Sequence, residues 1–549
     1  MATTAEYLDQ NSLLSTLSTA AAESLDFVVF FTGAMRGVTQ ADVKDCQAQC
    51  VSALRPGGIL FVQGTPGYLP ELGIYLDRLL TFKYWIAVES DLCQPTNGLP
   101  SRHAAILMFT KGNGRFNVGK LRFPHEYCAF CGRPVRDWGG KTHLMNPNGY
   151  AASDIWKGLP SGDNYHGLSV PVMEAILKLL DAPAALRSNL IESDDRSRLD
   201  RPVRGVIGPY APETVRQRVV AEPASQYWLP GLEPPLPPAV TTQIESRGPA
   251  GESGLWDTVH HGDALDVLKR YPDASVDLVF ADPPYNLDKA YNTYNDGQRR
   301  DDYLAWCNSW LEEYIRILKP TGSLYVLNLP RWTMYHAAFL NRRLYFQNWI
   351  VWDALSEPRG KIMPAHYGLL YYTRHPTDFT FNYDEVGQID ARYYCLRSSC
   401  IHRRKAAGVD DKQPLADIWW DIHRLKHRRD RDYHPCQLPD ALLERIIRLS
   451  SNPGDIVLDA LAGTGTTAVI AAQLGRRYVA IDIDQKYVQI TREKLTQVQA
   501  YGHIRRRSIS RPRPTYTKKA LQLELRDLAL RLGRLPTPDD VKSHSRYEL

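Results

Sequence analysis

Two stretches of this 549-residue chain read as versions of one another, and that duplication limits the fold more than any other feature. LRPGGILFV (54–62) parallels LKPTGSLYV (318–326), an offset of 264 residues that Trp85 and Trp349 repeat. HAAILMFTKG (103–112) parallels HYGLLYYTRH (366–375), and SDIWKGLP (153–160) parallels ADIWWDIH (416–423), both at 263. SLDFVVFFTGA (24–34) and SVDLVFADPPY (275–285) are both apolar strands ending in a loop. His166-Gly-Leu-Ser-Val-Pro171 precedes an amphipathic helix, as His434-Pro-Cys-Gln-Leu-Pro439 does. Matches in constant order and spacing predict two related α/β units. Ordinary α/β elements would not be expected to share Asp-Ile-Trp.

The two copies differ in chemistry. In the second, the apolar run ends in Asp282-Pro283-Pro284-Tyr285, where the first has Phe31-Thr32-Gly33-Ala34. Asp282 supplies a carboxylate acceptor. Pro283 has no N–H to donate and presents its carbonyl as a second acceptor. Pro284 stiffens the turn and Tyr285 offers an aromatic face. Two acceptors and a π-face suit a flat base whose exocyclic amine must act as a nucleophile. A plain turn after a strand is the simpler reading of these four residues alone.

The second copy also carries PGDIVLDAL (453–461), a strand ending at Asp459, followed by Leu461, Ala462, Gly463, Thr464 and Gly465. Thr466 and Thr467 open the helix TTAVIAAQL, which stops at Gly475. Glycines allow close backbone approach to a ligand, and the helix start favours a negative group. RRYVAIDID (476–484) is the next strand, with Asp482 placed to hold a ribose diol. The loop also satisfies the loose dinucleotide fingerprint, so NAD is a rival. Asp459 beside the loop suits the ammonium of a methionine moiety, which NAD lacks, and an amine-binding loop is superfluous to hydride transfer. S-adenosylmethionine is therefore the expected cofactor.

Taken together, HHGDALDVLKRYPDASVDLVFADPPYN (260–286), the glycine loop and their order resemble the β-group of DNA amino-methyltransferases, in which the catalytic motif precedes the cofactor motif. The resemblance implies a doubly wound, Rossmann-like α/β fold that uses S-adenosylmethionine, with a degenerate second copy and a short helical tail. It implies catalysis by Asp282, Pro283, Pro284 and Tyr285. Cofactor contacts would come from Asp263, Asp459, Leu461, Gly463, Thr464, Gly465, Thr466, Thr467 and Asp482. Asp at the first motif position accompanies adenine N6 more often in this family, and Ser accompanies cytosine N4. A site-specific DNA methyltransferase acting at adenine N6 is expected, with N4-cytosine methylation or a non-catalytic DNA-binding subunit as alternatives. The resemblance implies a restriction-modification or defence setting, with a partner protein there.

Domain expectations follow. Residues 1–200 form the degenerate copy, and 201–254, including LPGLEPPLPP, a Pro-rich linker. Residues 255–498 form the catalytic domain, with a target-recognition insertion at about 330–433. In the basic tail, 499–549, KKALQLELRDLALRLG reads as a helix ending near Gly533. Arg403, Arg404, Lys405, Arg424, Lys426, Arg428, Arg429 and Arg431 cluster beside the catalytic half and suit DNA phosphates. A solvated face interleaved with Asp430 and Asp432 is the other reading.

Cys128-Ala-Phe-Cys131-Gly132 has knuckle spacing, and Cys395 and Cys400 fall in the equivalent stretch of the second copy. These four cysteines either share a zinc ion between the halves or are simply reduced and packed. The 44% hydrophobic content and 23% charged residues describe a soluble globular chain, while a net charge of +5 is too mild to identify a nucleic-acid binder. No apolar run approaches a membrane span, and MATTAEYLDQNSLL has no signal-peptide pattern. Nine cysteines without such a signal suggest a reducing cytoplasm.

Overall fold

The structure, a computed structural model, describes residues 4–7, 21–32, 40–112, 121–135, 142–157, 159, 169–180, 204–208, 254–287, 296–354, 362–395, 397–409, 412–425, 437–504 and 518–544. The N-terminal half contributes β1 (Thr4–Tyr7), β2 (Leu25–Phe31), β3 (Leu54–Gly64), β4 (Thr81–Gln94) and β5 (Ser101–Thr110). It continues with the short pair β6 (Arg122–Phe123) and β7 (Tyr150–Ala151), then β8 (Ile155–Trp156) and β9 (Arg204–Gly208). The C-terminal half contributes β10 (Thr258–His261), β11 (Val276–Ala281), β12 (Leu318–Asn328), β13 (Tyr345–Asp353) and β14 (His366–Thr373). After the pair β15 (Gln388–Asp390) and β16 (Lys412–Pro414) come β17 (Ile418–Trp419), β18 (Ile456–Asp459) and β19 (Arg477–Asp482).

Two large sheets result. The first runs β1-β9-β2-β3-β5-β4-β8 and the second β10-β19-β18-β11-β12-β14-β13-β17. From β2 and β11 outward the orders coincide strand for strand, including the antiparallel steps β3–β5 and β12–β14. β9 lies parallel to β2 as β18 lies parallel to β11. The central strands are apolar and buried along nearly their whole length, as parallel strands covered on both faces require.

Two boundary expectations need correction. The stretch 330–433 is not one insertion: the helix Pro330–Leu340 and strands β13, β14 and β17 belong to the main layers of the C-terminal half. Their aromatic-rich strands, from which Trp349, Trp352, Tyr371 and Trp419 are buried, build the core. Among the described residues of this stretch, the segments around β15, β16 and the helix Ser398–Ala406 lie outside those layers. Likewise, 201–254 does not begin as a linker, because β9 pairs with β2 and β1 inside the first sheet. Residues 209–253 lie outside the described ones.

The halves pack through equivalent parts. The Trp85 and Trp349 rings stack at 3.8 Å between centroids and 5° between planes. Helix Leu69–Leu76 packs on helix Pro330–Leu340 so closely that a Cβ on Gly73 would stand 2.2 Å from Met334 Sδ. His103 Nδ1 lies 3.0 Å from Asp417 Oδ2, and reciprocally His366 Nδ1 lies 3.1 Å from Asp154 Oδ1. The Arg102 N–H donates to Asp417 Oδ1 and the Ala365 N–H to Asp154 Oδ1, each at 2.8 Å. The duplicated Asp-Ile-Trp segments are thus reciprocal latches across an internal pseudo-two-fold interface.

The helix expected to end near Gly533 spans Lys518–Leu532, with Gly533 at φ 64°. It docks on the C-terminal half, where Arg448 Nη2 meets Asp527 Oδ2 at 2.8 Å with both side chains buried. Leu528 is buried beside them. Among the described residues, no helix is long and apolar enough to cross a membrane.

Candidate active site and cofactor cleft

β11 has β12 on one side and β18 on the other, so the strand order reverses between β11 and β18. Open α/β sheets bind ligands at the carboxyl ends of strands at such a point. Asp282 directly follows β11 and Asp459 ends β18. One cavity of about 1120 Å³, counting its open mouth, is lined by Asp282, Pro283, Pro284 and Tyr285 on one side. Asp459, Leu461, Gly463, Thr464, Thr466 and Thr467 line it on the other, with Asp263 and Asp482 completing the wall. Gly465 is not part of that wall.

The glycine turn is held from behind. Gly463 and Gly465 have φ of 52° and 75°, in the left-handed region. A Cβ at Gly465 would come within 2.2 Å of Thr491 Cγ2, so this glycine serves the turn and its packing. Lys494 Nζ donates to the Thr464 carbonyl at 2.8 Å. Asp459 accepts from the Leu461 N–H at 3.0 Å and from the Thr467 hydroxyl at 2.6 Å, which orients its carboxylate. Burial pushes the Asp459 carboxyl up to about 7; the bonds from Thr467 and Leu461 oppose the rise and nearby Asp482 adds to it. Asp482 accepts from the Gly463 N–H at 2.7 Å and the Asp484 N–H at 2.8 Å. Burial lifts it to about 6 against those bonds.

The loop 282–285 is braced through its backbone. Tyr303 donates its hydroxyl to the Pro284 carbonyl at 2.7 Å, and Trp332 Nε1 donates to the Tyr285 carbonyl at 2.8 Å. The Tyr285 ring lies 5.6 Å from that of Tyr367, tilted by 45°. Asn286, at φ 53°, donates its N–H to Asp296 at 2.8 Å and ties the loop to Gln298 through both its side-chain atoms. Asp263 caps helix Ala264–Leu268, accepting from the Leu265 N–H at 2.9 Å, while still facing the cavity.

Sequence reasoning missed Trp306, Gln437, Asp484 and Tyr487 in the wall. Asp484 had a signal, the second acid of Ile481-Asp482-Ile483-Asp484, and it caps the helix Gln485–Tyr501. Trp306 and Tyr487 project from helices whose facing is set by packing alone. Of the basic cluster, Arg403 and Lys405 are exposed on helix Ser398–Ala406, and Arg424 is half-buried. Arg404 is a correction: it is buried, donating to the Cys395 carbonyl at 3.0 Å and contacting Cys400 Sγ at 3.2 Å, and cannot reach a phosphate. Lys426, Arg428, Arg429 and Arg431 lie outside the described residues, as do His434 to Cys436.

A family profile described as DNA methylase matches residues 276–493. The type II methyltransferase M.BamHI of Bacillus amyloliquefaciens is 36% identical over 241 residues, covering 43% of this chain and 56% of that protein. The chain thus spans little more than half the length of that relative. The DNA adenine methyltransferase YhdJ of Escherichia coli strain K12 is 34% identical over 252 residues, 45% of this chain and 84% of that one. A Thermus thermophilus structure, assigned as a DNA modification methylase and solved with S-adenosyl-L-methionine, shares 25% identity. It covers 44% of this chain and 93% of its own, with a TM-score of 0.32. With the motif order, the sheet order and the two methyltransferase relatives in agreement, the chain belongs to the DNA methylase family.

Proposed function

We propose that this chain transfers a methyl group from S-adenosylmethionine to the exocyclic amine of a base extruded from DNA, with adenine N6 as the acceptor. The observation that carries this reading is the shared cavity walled by residues 282–285, 459–464, Thr466 and Thr467 at the ends of adjacent strands. Its donor set fits the cofactor. Two carboxylates suit an ammonium and a ribose diol, and the glycine turn lets the ligand approach the backbone. Asp459 would hold the ammonium, Asp482 the ribose, and Asp263 would face the adenine. When bound, the cofactor supplies an electrophilic methyl group.

The chain's own residues do the rest. A paired base cannot reach the cavity, so it must be flipped out, at a cost of a few kcal/mol. Stacking on Tyr285 offsets part of that, at about 1–3 kcal/mol per base. Asp282 and the Pro283 carbonyl accept hydrogen bonds from the amine, drawing its nitrogen toward tetrahedral geometry and freeing a lone pair otherwise delocalised into the ring. The bracing by Tyr303, Trp332 and Asn286 keeps these acceptors fixed, so positioning lowers much of the barrier. Asp as the first motif residue favours adenine, and the relative named a DNA adenine methyltransferase agrees with that choice. Arg403 and Lys405 would contact DNA phosphates. The type II name of another relative supports a role in restriction-modification, in the cytoplasm beside a partner nuclease.

Mass spectrometry of nucleosides from cells expressing the chain tests the proposal. N6-methyladenine is expected. N4-methylcytosine alone would overturn the choice of base, and an unmodified digest the activity itself. Equilibrium binding of S-adenosylmethionine, abolished in Asp459→Ala, separates an enzyme from a non-catalytic DNA-binding subunit.

A further inference from the structure

Away from the cleft, four cysteines from the two halves converge on one point. Cys128 and Cys131 come from the N-terminal half, and Cys395 and Cys400 from the segment outside the second sheet. Their sulfurs all lie within 4.8 Å of one another. Cys128 Sγ is 3.7 Å from Cys400 Sγ, and Cys131 Sγ is 3.6 Å from Cys395 Sγ. A tetrahedral zinc site with Zn–S near 2.3 Å has sulfur-to-sulfur edges of roughly 3.8 Å.

The backbone around Cys128 and Cys131 is already a knuckle. Tyr127 and Pro134 form an antiparallel bridge, and the Cys128 N–H donates to the Arg133 carbonyl at 2.7 Å. The Gly132 N–H donates to the Cys128 carbonyl at 2.9 Å, with Gly132 at φ 68°. The knuckle is tied directly to its counterpart, since the Ala129 N–H donates to the Tyr393 carbonyl at 3.0 Å and Arg397 Nη1 to the Pro134 carbonyl at 2.8 Å. The buried Arg404 guanidinium, 3.2 Å from Cys400 Sγ, supplies positive charge where four thiolates around a dication leave an excess of two negatives.

Duplication alone does not produce this cluster. At the 263-residue offset that holds on both sides of this stretch, Cys128, Cys131, Cys395 and Cys400 align with Ala391, Tyr394, Gly132 and Asp137 of the other copy. Each half therefore contributes two cysteines without a cysteine counterpart in the other copy, and all four meet. Packing of small apolar thiols gives no reason for four sulfurs to face one another.

We infer that Cys128, Cys131, Cys395 and Cys400 bind one structural zinc ion that clamps the degenerate N-terminal half to the helix Ser398–Ala406. All four thiols ionise on binding and release their protons to solvent. The clamp fixes the helix that exposes Arg403 and Lys405, which ties the otherwise inert copy to the face proposed for DNA. The site stands on its own geometry and does not depend on the methyl-transfer reading.

The full chain, purified under reducing conditions with zinc as the only added metal, tests the inference by elemental analysis. One zinc per chain is expected, falling at least fivefold in Cys131→Ser/Cys395→Ser. Cobalt(II) exchanged into the unmutated chain reads the ligand set without relying on a variant's folding. Visible d–d bands of a tetrahedral centre with thiolate-to-cobalt charge transfer are expected. Less than a tenth of an equivalent of zinc after reconstitution would overturn the inference. So would an octahedral cobalt spectrum, undiminished zinc in the double variant, or Cys128–Cys400 and Cys131–Cys395 disulfides that persist in protein purified under reducing conditions.

Discussion

Trp85 and Trp349 occupy equivalent positions in the two halves and stack on each other at 3.8 Å, in planes 5° apart, at the interface between the halves. Both are about 1% exposed. The N-terminal half is thus a structural partner of the C-terminal one. Truncating a buried Trp to Ala costs about 3–5 kcal/mol. Trp85→Ala should lower stability by that amount in denaturant titration, although Trp85 is absent from the cavity wall. A loss below about 1 kcal/mol would mean that the halves are held together elsewhere.

The reciprocal latches make a paired prediction. Asp154→Ala and Asp417→Ala each take the acceptor from a backbone N–H and remove the carboxylate beside a buried His, at about 1–3 kcal/mol. Thermal melting should show similar losses for the two, because their surroundings are related by the pseudo-two-fold. A large loss for one and none for the other would contradict that equivalence.

Gly465→Ala should fail for a local reason. The residue sits at φ 75° and its Cβ would overlap Thr491 at 2.2 Å. Strain of this kind costs on the order of 1–3 kcal/mol. Because the turn also presents Gly463 and Thr464 to the cavity, calorimetry should show S-adenosylmethionine binding weakened along with stability. Wild-type affinity in a stably folded Gly465→Ala chain would sink the idea that this turn shapes the site.

The raised acids give a pH dependence with a definite sign. Asp459 in the folded chain keeps its proton up to about 7 and Asp482 up to about 6, whereas an unfolded Asp releases it near 4. Their contribution to stability is therefore full below about pH 4, declines as pH rises through about 6 to 7, and is level above. A cationic ligand at Asp459 needs the ionised form, so affinity for S-adenosylmethionine should rise as pH rises toward about 7 and then level. Titration calorimetry across that window checks both effects, and Asp459→Asn should flatten the binding curve. Affinity that stays constant with pH in the unmutated chain contradicts the assignment.

Much of this was legible because the informative residues are local. Asp282 to Tyr285 and Asp459 to Thr467 announce themselves through neighbours in sequence, and the 264-residue offset carries the pairing of Trp85 with Trp349. What stayed hidden depends on packing between distant segments. β13 and β14 looked like an insertion because they lie between the two motifs, and only their sheet partners β12 and β17 show them to be core. β9 is five residues in a Pro-rich tract. Arg404 reads like Arg403 and Lys405 until the helix is turned, whereupon its guanidinium points at sulfur. Trp306 and Tyr487 reach the cleft from helices that no motif marks.

The central claim is that Asp282 acts on the amine of a flipped base at the rim of the cofactor cleft. Its most direct test is transfer of labelled methyl from S-adenosylmethionine to DNA by the unmutated chain and by Asp282→Ala, with cofactor affinity measured in parallel. The account predicts a fall in kcat of roughly 10²–10³-fold at nearly unchanged cofactor affinity. Asp282→Ala methylating DNA at the unmutated rate would contradict it.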